Sequence, residues 1–584
     1  MIAALLSRAQ AQHQAGRLDE ARALYEQVLA ADPRQADALH LLGYLWFQKG
    51  DIARALDLIG RAVDLRPADA GIRYNRALIL QQAGRLDAAA ADFQAVARLQ
   101  PSDLGAWESL GETLLALGRA EEALTAYDRA VALRPSSPEL NSNRGIALRA
   151  MGRVDEALAA QDRAVAANPR YPEGWSNRGN VLKDLGRLDE AVQSFDRALA
   201  LAPNMAAALL NRANVLRELA RLDEALAGYD RALGLQPAYA DAHHHRAVLL
   251  MDLQRPAEAV AGFDRALALR APYPEAERAK AMALLLGGDF ERGLPLYERR
   301  VRLAPEGARD RPPWLGEAPI EGRTVLVWAE QGLGDTLQFC RYIPLLADRG
   351  ARVVLQAQAP LLLLLRGLAG VETLIAQGEA PPAFDLHVPL LSLPLALGTH
   401  IETIPAPGVY LAADPAKVEA WSERLGPRTR PRVGLVWNGN PEHKNDRHRS
   451  LPLARLLDAL PEGFEYVSLQ KDVRPADQAT LNARPEVRHF GAELHDFADT
   501  AALVSLMDAV VSVDTSLAHL AGALGQDTRL LLPRIGLDWR WLTEQADTPW
   551  YPSMRLYRQG ADCGWDGPLA AVAKDLSQLS SSRA

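Results

Sequence analysis

The sequence predicts two unlike parts, an α-helical solenoid over about the first three hundred residues and then an α/β region of parallel sheets. Three observations support this division. Proline and glycine recur every 34 residues through the first part, a period typical of stacked helical repeats. After residue 323, short apolar runs alternate with helical stretches, as in βαβ units. A chain of 584 residues is also too long for one hydrophobic core, so two to four domains are expected.

The composition is that of ordinary globular protein, with 48% hydrophobic and 24% charged residues. The formal charge of −8 argues against a general nucleic-acid binder, which would carry a basic face. Only two cysteines occur, Cys340 and Cys563, which excludes a disulfide framework and favours a reducing compartment. The apolar runs 1–6 and 361–365 are too short for a signal sequence or a membrane span. We therefore expect a cytoplasmic protein.

The repeats are marked by residues that break helices at fixed positions. Prolines stand at 33, 67, 101, 135, 169, 203 and 237, and glycines at 16, 50, 84, 118, 152 and 186. Each unit is two helices with glycine at the turn, and only Ala220 and Gln254 stand where glycine is expected. This pattern is the signature of tetratricopeptide repeats. We count eight full repeats to about Tyr273 and a ninth, less regular, from Pro274. Residues 1–303 should form a right-handed superhelix with a concave groove.

Two polar columns follow the repeat period. The first lies midway along the first helix of each repeat and comprises Asn75, Ser109, Asn143, Asn177, Asn211 and His245. Its amides are either a solvated face or a ladder that binds the backbone of an acceptor peptide. The column resembles the asparagine ladder of O-linked N-acetylglucosamine transferase. The second column comprises Asp128, Asp162, Asp196, Asp230 and Asp264, and we expect pairing between repeats or solvent exposure.

Residues 304–323, rich in proline and charge, are predicted to be a linker in which Trp314 packs against a neighbour. Strands are predicted at 324–329, 352–356, 372–375, 384–388, 433–437, 466–469, 487–490, 509–513 and 529–532. They indicate two Rossmann-like halves, 324–428 and 429–560, that face each other across a cleft. A tail, 561–584, should hold a final helix near 568–579.

Three loops at strand ends carry possible chemistry. In the first, Gly332-Leu-Gly-Asp335 leaves the first strand, and Asp335 is either a general base or a helix cap. The second, 438–449, holds Lys444 among several basic residues and is either a diphosphate site or a solvated charge run. In the third, Asp514, Thr515, Ser516 and His519 follow a buried strand. They either bind a phosphate-bearing ligand at a helix start or merely cap that helix.

Together the three loops resemble those of the bacterial heptosyltransferases, the family 9 type of glycosyltransferase with the two-domain GT-B fold. The resemblance covers about residues 324–557. It implies that Asp335 is the catalytic base, that Lys444 binds the donor diphosphate, and that Asp514, Thr515 and His519 bind diphosphate and sugar. Gln470 lies near the position of a nucleoside contact. Ser516 departs from the family, which has glycine there. The overall architecture, repeats followed by a transferase region, is similar to that of O-linked N-acetylglucosamine transferase.

The resemblance implies an inverting, metal-independent transferase. The donor would be a nucleotide-diphosphate sugar, and the acceptor would be a protein or peptide bound in the repeat groove. No cofactor is expected. Two alternatives stay open. In the first, the chain is a repeat scaffold for protein–protein interaction, and its transferase-like region is inactive. In the second, the chain is a glycosyltransferase that modifies cell-surface polysaccharide and uses its repeats only to form oligomers.

Overall fold

The computed structural model of the chain describes residues 1–300 and 304–581, without the side chains of 580 and 581. The predicted end of the repeats at 303 and the last residues of the predicted tail therefore lie outside the described residues. The chain divides into two compact units, Met1–Leu219 and Ala220–Ala584. The division falls within a predicted repeat, and each unit is considered by itself. The predicted domain boundaries remain predictions.

The first unit consists of helices that alternate between 13 and 14 residues. In chain order they are α1 Ile2–Gln14, α2 Leu18–Ala31, α3 Ala36–Gln48, α4 Ile52–Leu65, α5 Ala70–Gln82, α6 Leu86–Leu99, α7 Leu104–Ala116, α8 Ala120–Leu133, α9 Pro138–Ala150, α10 Val154–Ala167, α11 Pro172–Asp184, α12 Leu188–Leu201 and α13 Ala206–Glu218. Successive helices pack as antiparallel pairs and bury small residues between them. A Cβ on Gly111 would lie 2.7 Å from the ring of Tyr127, and one on Gly179 would lie 2.8 Å from Phe195. The predicted helical solenoid is confirmed.

The turns between paired helices require a left-handed backbone, as the recurring glycines predict. Gly16 and the five glycines that follow it at the repeat period have φ between +71° and +83°. Ala220 and Gln254, which replace glycine in two repeats, have the same conformation with φ of +60°. The repeat geometry therefore imposes left-handed backbone even where a side chain makes it costly.

The aspartate column forms ion pairs between consecutive repeats, one of the two outcomes expected for it. Each aspartate binds a basic residue sixteen positions on, in the first helix of the next repeat. The pairs are Asp128–Arg144 at 2.6 Å, Asp162–Arg178 at 2.7 Å, Asp196–Arg212 at 2.6 Å, Asp230–Arg246 at 2.6 Å and Asp264–Lys280 at 2.5 Å. The aspartates are about half exposed, so each pair contributes at most about 1 kcal/mol.

The second unit begins with five more repeat helices, α14 Leu222–Leu235, α15 Ala240–Asp252, α16 Pro256–Leu269, α17 Pro274–Leu286 and α18 Phe290–Tyr297. The shorter pair, α17 and α18, forms the predicted ninth repeat. The α/β region that follows has the strands β1 Thr324–Trp328, β2 Arg352–Ala357, β3 Val371–Ala376, β4 Leu386–Pro389, β5 Arg432–Val436, β6 Glu465–Ser468, β7 Val487–His489, β8 Ala509–Val513, β9 Thr528–Leu532 and β10 Met554–Arg558. Its helices are α19 Leu333–Phe339, α20 Ile343–Asp348, α21 Leu362–Leu365, α22 Leu393–Ala396, α23 Pro415–Leu425, α24 Asp446–Arg449, α25 Leu453–Ala459, α26 Pro475–Ala483, α27 Phe497–Ser505, α28 Ser516–Ala523 and α29 Asp566–Ser581.

The strands form two parallel sheets, in the orders β3-β2-β1-β4 and β10-β9-β8-β5-β6-β7. Counted from its own first strand, the second sheet has the order 3-2-1-4-5-6 of a Rossmann doubly wound sheet. In each sheet the direction of winding reverses beside the first strand, between β1 and β4 and between β5 and β8. Such switch points leave a crevice at the carboxyl ends of the strands, where ligands of open α/β sheets bind.

All nine predicted strands are present, with ends that differ by a few residues, and β10 is an additional strand. It escaped prediction because its sequence, Met-Arg-Leu-Tyr-Arg, carries two arginines, of which Arg555 is 63% exposed at the sheet edge. The final helix α29 is also present, two residues longer than predicted at each end. Within the described ranges, no helix combines the length and apolar character needed to cross a bilayer.

The segment predicted as a linker is packed onto the first sheet. Trp314 is only 3% exposed. Its amide donates to the carbonyl of His387 at 2.8 Å, and its indole N–H donates to that of Ala318 at 2.8 Å. One apolar cluster connects this segment with both sheets and with Leu285 and Phe290 of the ninth repeat. The ninth repeat and the α/β region therefore share a hydrophobic core.

Candidate functional site

The predicted site residues of the α/β region lie at the carboxyl ends of its strands. The Gly332–Asp335 loop follows β1, the basic loop 438–449 follows β5, and residues 514–519 follow β8. The last two loops flank the switch point of the second sheet. Neighbouring parallel strands point their carboxyl ends to the same edge, so the loops after β5 and β8 lie side by side in the second sheet.

Asp335 lies in the first turn of α19, and both of its carboxylate oxygens are engaged. Oδ2 accepts from the amide of Gly332 at 2.9 Å, and Oδ1 is ion-paired with the Nη2 group of Arg540. The side chain is 20% exposed, so solvent reaches part of it. Burial raises the pKa of Asp335, while the guanidinium of Arg540 opposes that rise.

Arg540 is the most consequential residue that the sequence did not reveal. It lies in a 3₁₀ turn, Trp539–Trp541, that follows β9. Its Nη1 group donates to both oxygens of Asp538, at 3.0 and 2.8 Å, so the guanidinium joins two carboxylates. The side chain is 5% exposed, and its Nε, among the residues that the structure describes, has no hydrogen-bond acceptor. In the sequence, the feature that could have indicated Arg540 is its position between two tryptophans.

Asp514, Thr515 and Ser516 form the junction between β8 and α28. Thr515 precedes the helix with extended backbone, φ −144°, and its Oγ1 is buried without a hydrogen-bond partner in the described part of the chain. The carbonyl of Asp514 accepts from Arg449 Nη1 at 3.0 Å. Burial, together with the nearby carboxylate of Asp538, raises the pKa of Asp514 to about 7. Ser516, which replaces the expected glycine, is the first residue of α28.

His519 lies one turn into α28 and is held on two sides. Its ring stacks on Trp541, with centroids 5.3 Å apart and an interplanar angle of 17°. Its Nδ1 is 2.9 Å from the hydroxyl of Tyr551. The side chain is buried, and burial lowers the pKa of His519 to about 3. The imidazole is therefore neutral at neutral pH and offers a hydrogen bond rather than a positive charge.

The loop that carries Asp335 touches the start of α28. A Cβ on Gly334 would lie 2.9 Å from Cδ2 of His519 and 3.2 Å from the Cα of Ser516. Only glycine allows the two segments to approach this closely. The candidate base and the candidate phosphate-binding helix, about 180 residues apart in the chain, therefore meet at one contact.

A buried arginine next to α19 also contacts residues of the second sheet. Arg341 follows α19, is 2% exposed, and donates to the hydroxyl of Tyr410 at 2.9 Å. It also donates to the carbonyl of Trp550, after β9. Its guanidinium lies 4.5 Å from the ring centre of Tyr551, the residue that binds His519. Arg341 thus ties the helix of the first sheet to the second sheet.

In the basic loop, Arg449 rather than Lys444 contacts the start of α28. Lys444 is exposed at the outer part of the loop. Its neighbour Asn445 anchors the loop by donating to the carbonyls of Ile535 and Gly536 at 2.9 and 3.1 Å. Arg449 is 14% exposed, and its Nε finds no hydrogen-bond acceptor among the described residues. The guanidinium that contacts the backbone of Asp514 therefore belongs to Arg449.

Gln470, the predicted nucleoside contact, points into the protein. Its side-chain Nε2 donates to Asn438 Oδ1 at 3.0 Å, and its Oε1 accepts from the backbone N–H of Asn438 at 3.3 Å. It therefore braces the basic loop at the end of β5. Beside it, an open cleft of about 480 Å³ is lined by Lys471, His489 and His495. This cleft lies at the carboxyl ends of β6 and β7.

The asparagine column lies half-buried in the repeat helices. Asn75 Nδ2 is 2.8 Å from His40 Nε2, and Asn177 donates to Ser142 Oγ at 3.0 Å. Each of these contacts joins first helices of consecutive repeats. Asn143 and Asn211 are half-buried at the corresponding positions. Two of the four amides thus take part in contacts between repeats.

Comparison with known proteins identifies the first part of the chain. The tetratricopeptide repeat model matches residues 6–70, 74–138, 142–206, 176–242, 210–275 and 244–308. Together these matches cover half of the chain, so the chain belongs to the tetratricopeptide-repeat family. The predicted repeats are confirmed over about the first 300 residues.

Individual relatives share only part of the chain. Protein FlbA of Caulobacter vibrioides is 28% identical over 337 residues, which are 52% of this chain and 55% of FlbA. The chain thus spans about half the length of the curated relative that it matches. Among solved structures, the APC/C hetero-tetramer Cut9–Hcn1 is 20% identical with a TM-score of 0.36, over 48% of this chain and 55% of that one. A tetratricopeptide repeat protein from Parabacteroides merdae is 15% identical with a TM-score of 0.35, over 43% of this chain and 98% of that chain.

Proposed function

We propose that the chain is an inverting, metal-independent glycosyltransferase that uses a nucleotide-diphosphate sugar and recruits a protein or peptide acceptor through its repeats. The observation that carries the proposal is the contact between the Asp335 loop and the start of α28. A carboxylate for the acceptor proton and helix amides for an anionic leaving group are the two elements that such a transfer needs. Tetratricopeptide repeats, which present extended concave surfaces, suggest protein–protein interaction.

The donor diphosphate would be bound at the switch point of the second sheet. The first amides of α28 would donate to an anion bound there, and the helix dipole favours negative charge. Arg449 Nε and Thr515 Oγ1 are buried donors without hydrogen-bond partners in the described residues, and Arg449 Nε lies 3.9 Å from Asp446 Oδ1. A local shift of the loop on ligand binding would turn them toward phosphate oxygens. Lys444 adds a positive charge from the exposed rim of the same loop.

Asp335 would act on the acceptor. As the acceptor oxygen attacks the anomeric carbon, its proton moves to the Asp335 carboxylate and the bond to the diphosphate oxygen breaks. Asp335 must be ionised beforehand, although burial raises its pKa. Arg540 supplies the charge that favours the ionised form. The close approach of Gly334 to α28 would limit water between the two sheets and so favour transfer over hydrolysis.

Ligand-induced stabilisation of the purified protein tests the donor site. UDP, ADP, GDP and CDP, and sugars carried on them, would each be added before thermal unfolding. A ligand at one hundred times its Kd stabilises the folded state by about 2.7 kcal/mol. We expect one base to raise Tm, Arg449→Ala to abolish the rise, and Lys444→Ala to reduce it. Arg455→Ala, an exposed arginine of α25 paired with Asp566, is the matched control.

Asp335→Asn separates binding from chemistry. The amide keeps the size of the side chain but cannot accept the acceptor proton as a carboxylate does. The variant should retain the Tm rise and lose nucleotide-sugar turnover. Turnover equal to that of the parent protein would show that Asp335 is not the base.

A repeat scaffold with an inactive α/β region is the second candidate function. The observation in its favour is that both oxygens of Asp335 are already bound, by Gly332 and by Arg540. Such a scaffold would bind a partner through its repeats and would show no turnover with any nucleotide sugar. A Tm rise with a nucleoside diphosphate, without turnover of the corresponding sugar, would favour this candidate.

A further inference from the structure

The last repeat reaches into the α/β region. Phe290, the first residue of α18, lies edge-on to Trp539 with centroids 5.7 Å apart, and 6.3 Å from the ring of Trp550. Both tryptophans are almost fully buried. Trp539 begins the 3₁₀ turn that contains Arg540. The helix that ends the repeats therefore rests on the segment that supplies the partner of Asp335.

Arg300, just beyond α18, fills the switch point of the first sheet. Its Nε and Nη2 groups both donate to Glu330 Oε1, at 3.1 and 2.6 Å. Nη2 also donates to Ser392 Oγ at 2.8 Å, and Nη1 donates to Glu298 Oε1 at 2.7 Å. Glu330 follows β1 and Ser392 follows β4, so the guanidinium spans the crevice between these two strands. The side chains of Arg300 and Glu330 are 5% and 0% exposed.

Tyr297 holds the next residue of the same loop. Its hydroxyl accepts from Gln331 Nε2 at 3.4 Å, and its ring lies 6.1 Å from that of Trp539. The guanidinium of Arg300 lies 4.8 Å from the centre of the Tyr297 ring. Burial raises the pKa of Tyr297; the charge of Arg540 opposes that rise, and Asp335 adds to it. The hydroxyl is thus within electrostatic reach of the candidate base.

We infer that the last repeat is part of the candidate site, with Arg300 and Tyr297 as positioning residues that hold the loop carrying Asp335. Glu330 and Gln331 are fixed by the repeat, and the next residue, Gly332, donates its amide to Asp335. The last repeat accordingly contributes a wall of the α/β site. As far as Asp335 is the base, this inference rests on the proposed function.

Hydrogen exchange of the full-length protein, followed by mass spectrometry, tests the positioning directly. Arg300→Gln removes the charge that holds Glu330, so the amides of 331–336 should exchange about tenfold faster as the loop opens more often. Arg299→Gln is the matched control, because Arg299 is the neighbouring arginine, is 57% exposed and pairs with Glu277 of the repeat rather than with the loop. Unchanged exchange of 331–336 in Arg300→Gln would overturn the inference.

Two milder variants keep the test decisive if Arg300→Gln does not fold. Arg300→Lys retains the charge but loses the paired contacts with Glu330, and should give intermediate exchange. Tyr297→Phe removes only the hydroxyl and should speed exchange at Gln331 while the rest of the repeat stays protected. Parent-like exchange in both variants would refute the inference as well.

A kinetic comparison separates this inference from the proposed function. Turnover of the nucleotide sugar identified by Tm should show a lower kcat in Tyr297→Phe, with an unchanged Kd for the nucleoside diphosphate, because the donor loops follow strands of the other sheet. Parent-like kcat would contradict the positioning role and leave the transferase proposal standing. If the parent protein binds no nucleoside diphosphate, the transferase proposal fails, and the exchange data still decide whether the repeat holds the loop.

Discussion

Replacing Gly334 by alanine tests the contact on which the candidate site depends. The new Cβ would lie 2.9 Å from His519 Cδ2 and 3.2 Å from the Cα of Ser516. Neither neighbour can yield easily. The imidazole is stacked on Trp541 and bonded to Tyr551, and the Ser516 atom is backbone at the start of a helix. The alanine methyl group must therefore push the two segments apart.

The size of the effect follows from the cost of overpacking, about 1–3 kcal/mol. The second unit has roughly 365 residues, and unfolding entropy is about 2.1 cal/mol/K per residue. The entropy of unfolding of this unit is therefore about 0.8 kcal/mol/K. A loss of about 2 kcal/mol lowers its Tm by about 2.5 °C.

Differential scanning calorimetry of the full chain would measure this shift. Gly367→Ala is the control, because a Cβ there meets nothing within 4 Å, and its Tm should match the parent within 0.5 °C or so. Equal Tm values for Gly334→Ala and Gly367→Ala would mean that the Asp335 loop and α28 are apart in solution. Asp335 and α28 would then not belong to one site.

Three further predictions concern stability. Gln254→Gly should raise Tm. Glycine relieves the left-handed backbone strain at φ +60°, about 1–2 kcal/mol, and this gain exceeds the entropy cost of glycine, about 0.5–1 kcal/mol. A lower Tm would refute this prediction. Trp314→Ala should destabilise the second unit by about 3–5 kcal/mol, seen as a lower midpoint in urea, and an unchanged midpoint would show that the segment is not packed. Because the folded pKa of Asp514 is raised from 3.8 to about 7, its contribution to stability is lost as pH rises through that window. The Tm of Asp514→Asn relative to the parent should therefore increase between pH 5 and pH 8, and a constant difference would contradict the raised pKa.

Much of the secondary structure could be predicted because it is encoded locally. The 34-residue period of proline and glycine marks each repeat, and continuous apolar runs mark strands buried on both faces. The edge strand β10 lacked such a run, since Arg555 faces solvent. The aspartate column was recognised, but the basic partners sixteen residues away were not assigned, because they lie on the next helix pair.

The side-chain contacts of the candidate site were harder to predict. Lys444 and Arg449 lie in one basic loop, and only the course of that loop places Arg449 against Asp514. Gln470 was placed correctly near the end of a strand, but its direction, toward Asn438, depends on packing around β5. A sequence motif locates a strand end; it does not determine which side chain of the following loop turns inward.

By itself, the sequence determined that helical repeats precede parallel sheets and that polar loops follow β1, β5 and β8. The strands and loops depend on patterns a few residues long, and the repeats on a 34-residue period of proline and glycine; both can be read along the chain without knowledge of the tertiary contacts. Only the tertiary structure decided that Asp335 meets Arg540, 205 residues away, and that the last repeat holds Glu330. Such pairs form because sheet topology and a shared core bring distant segments together, and no local pattern encodes that proximity.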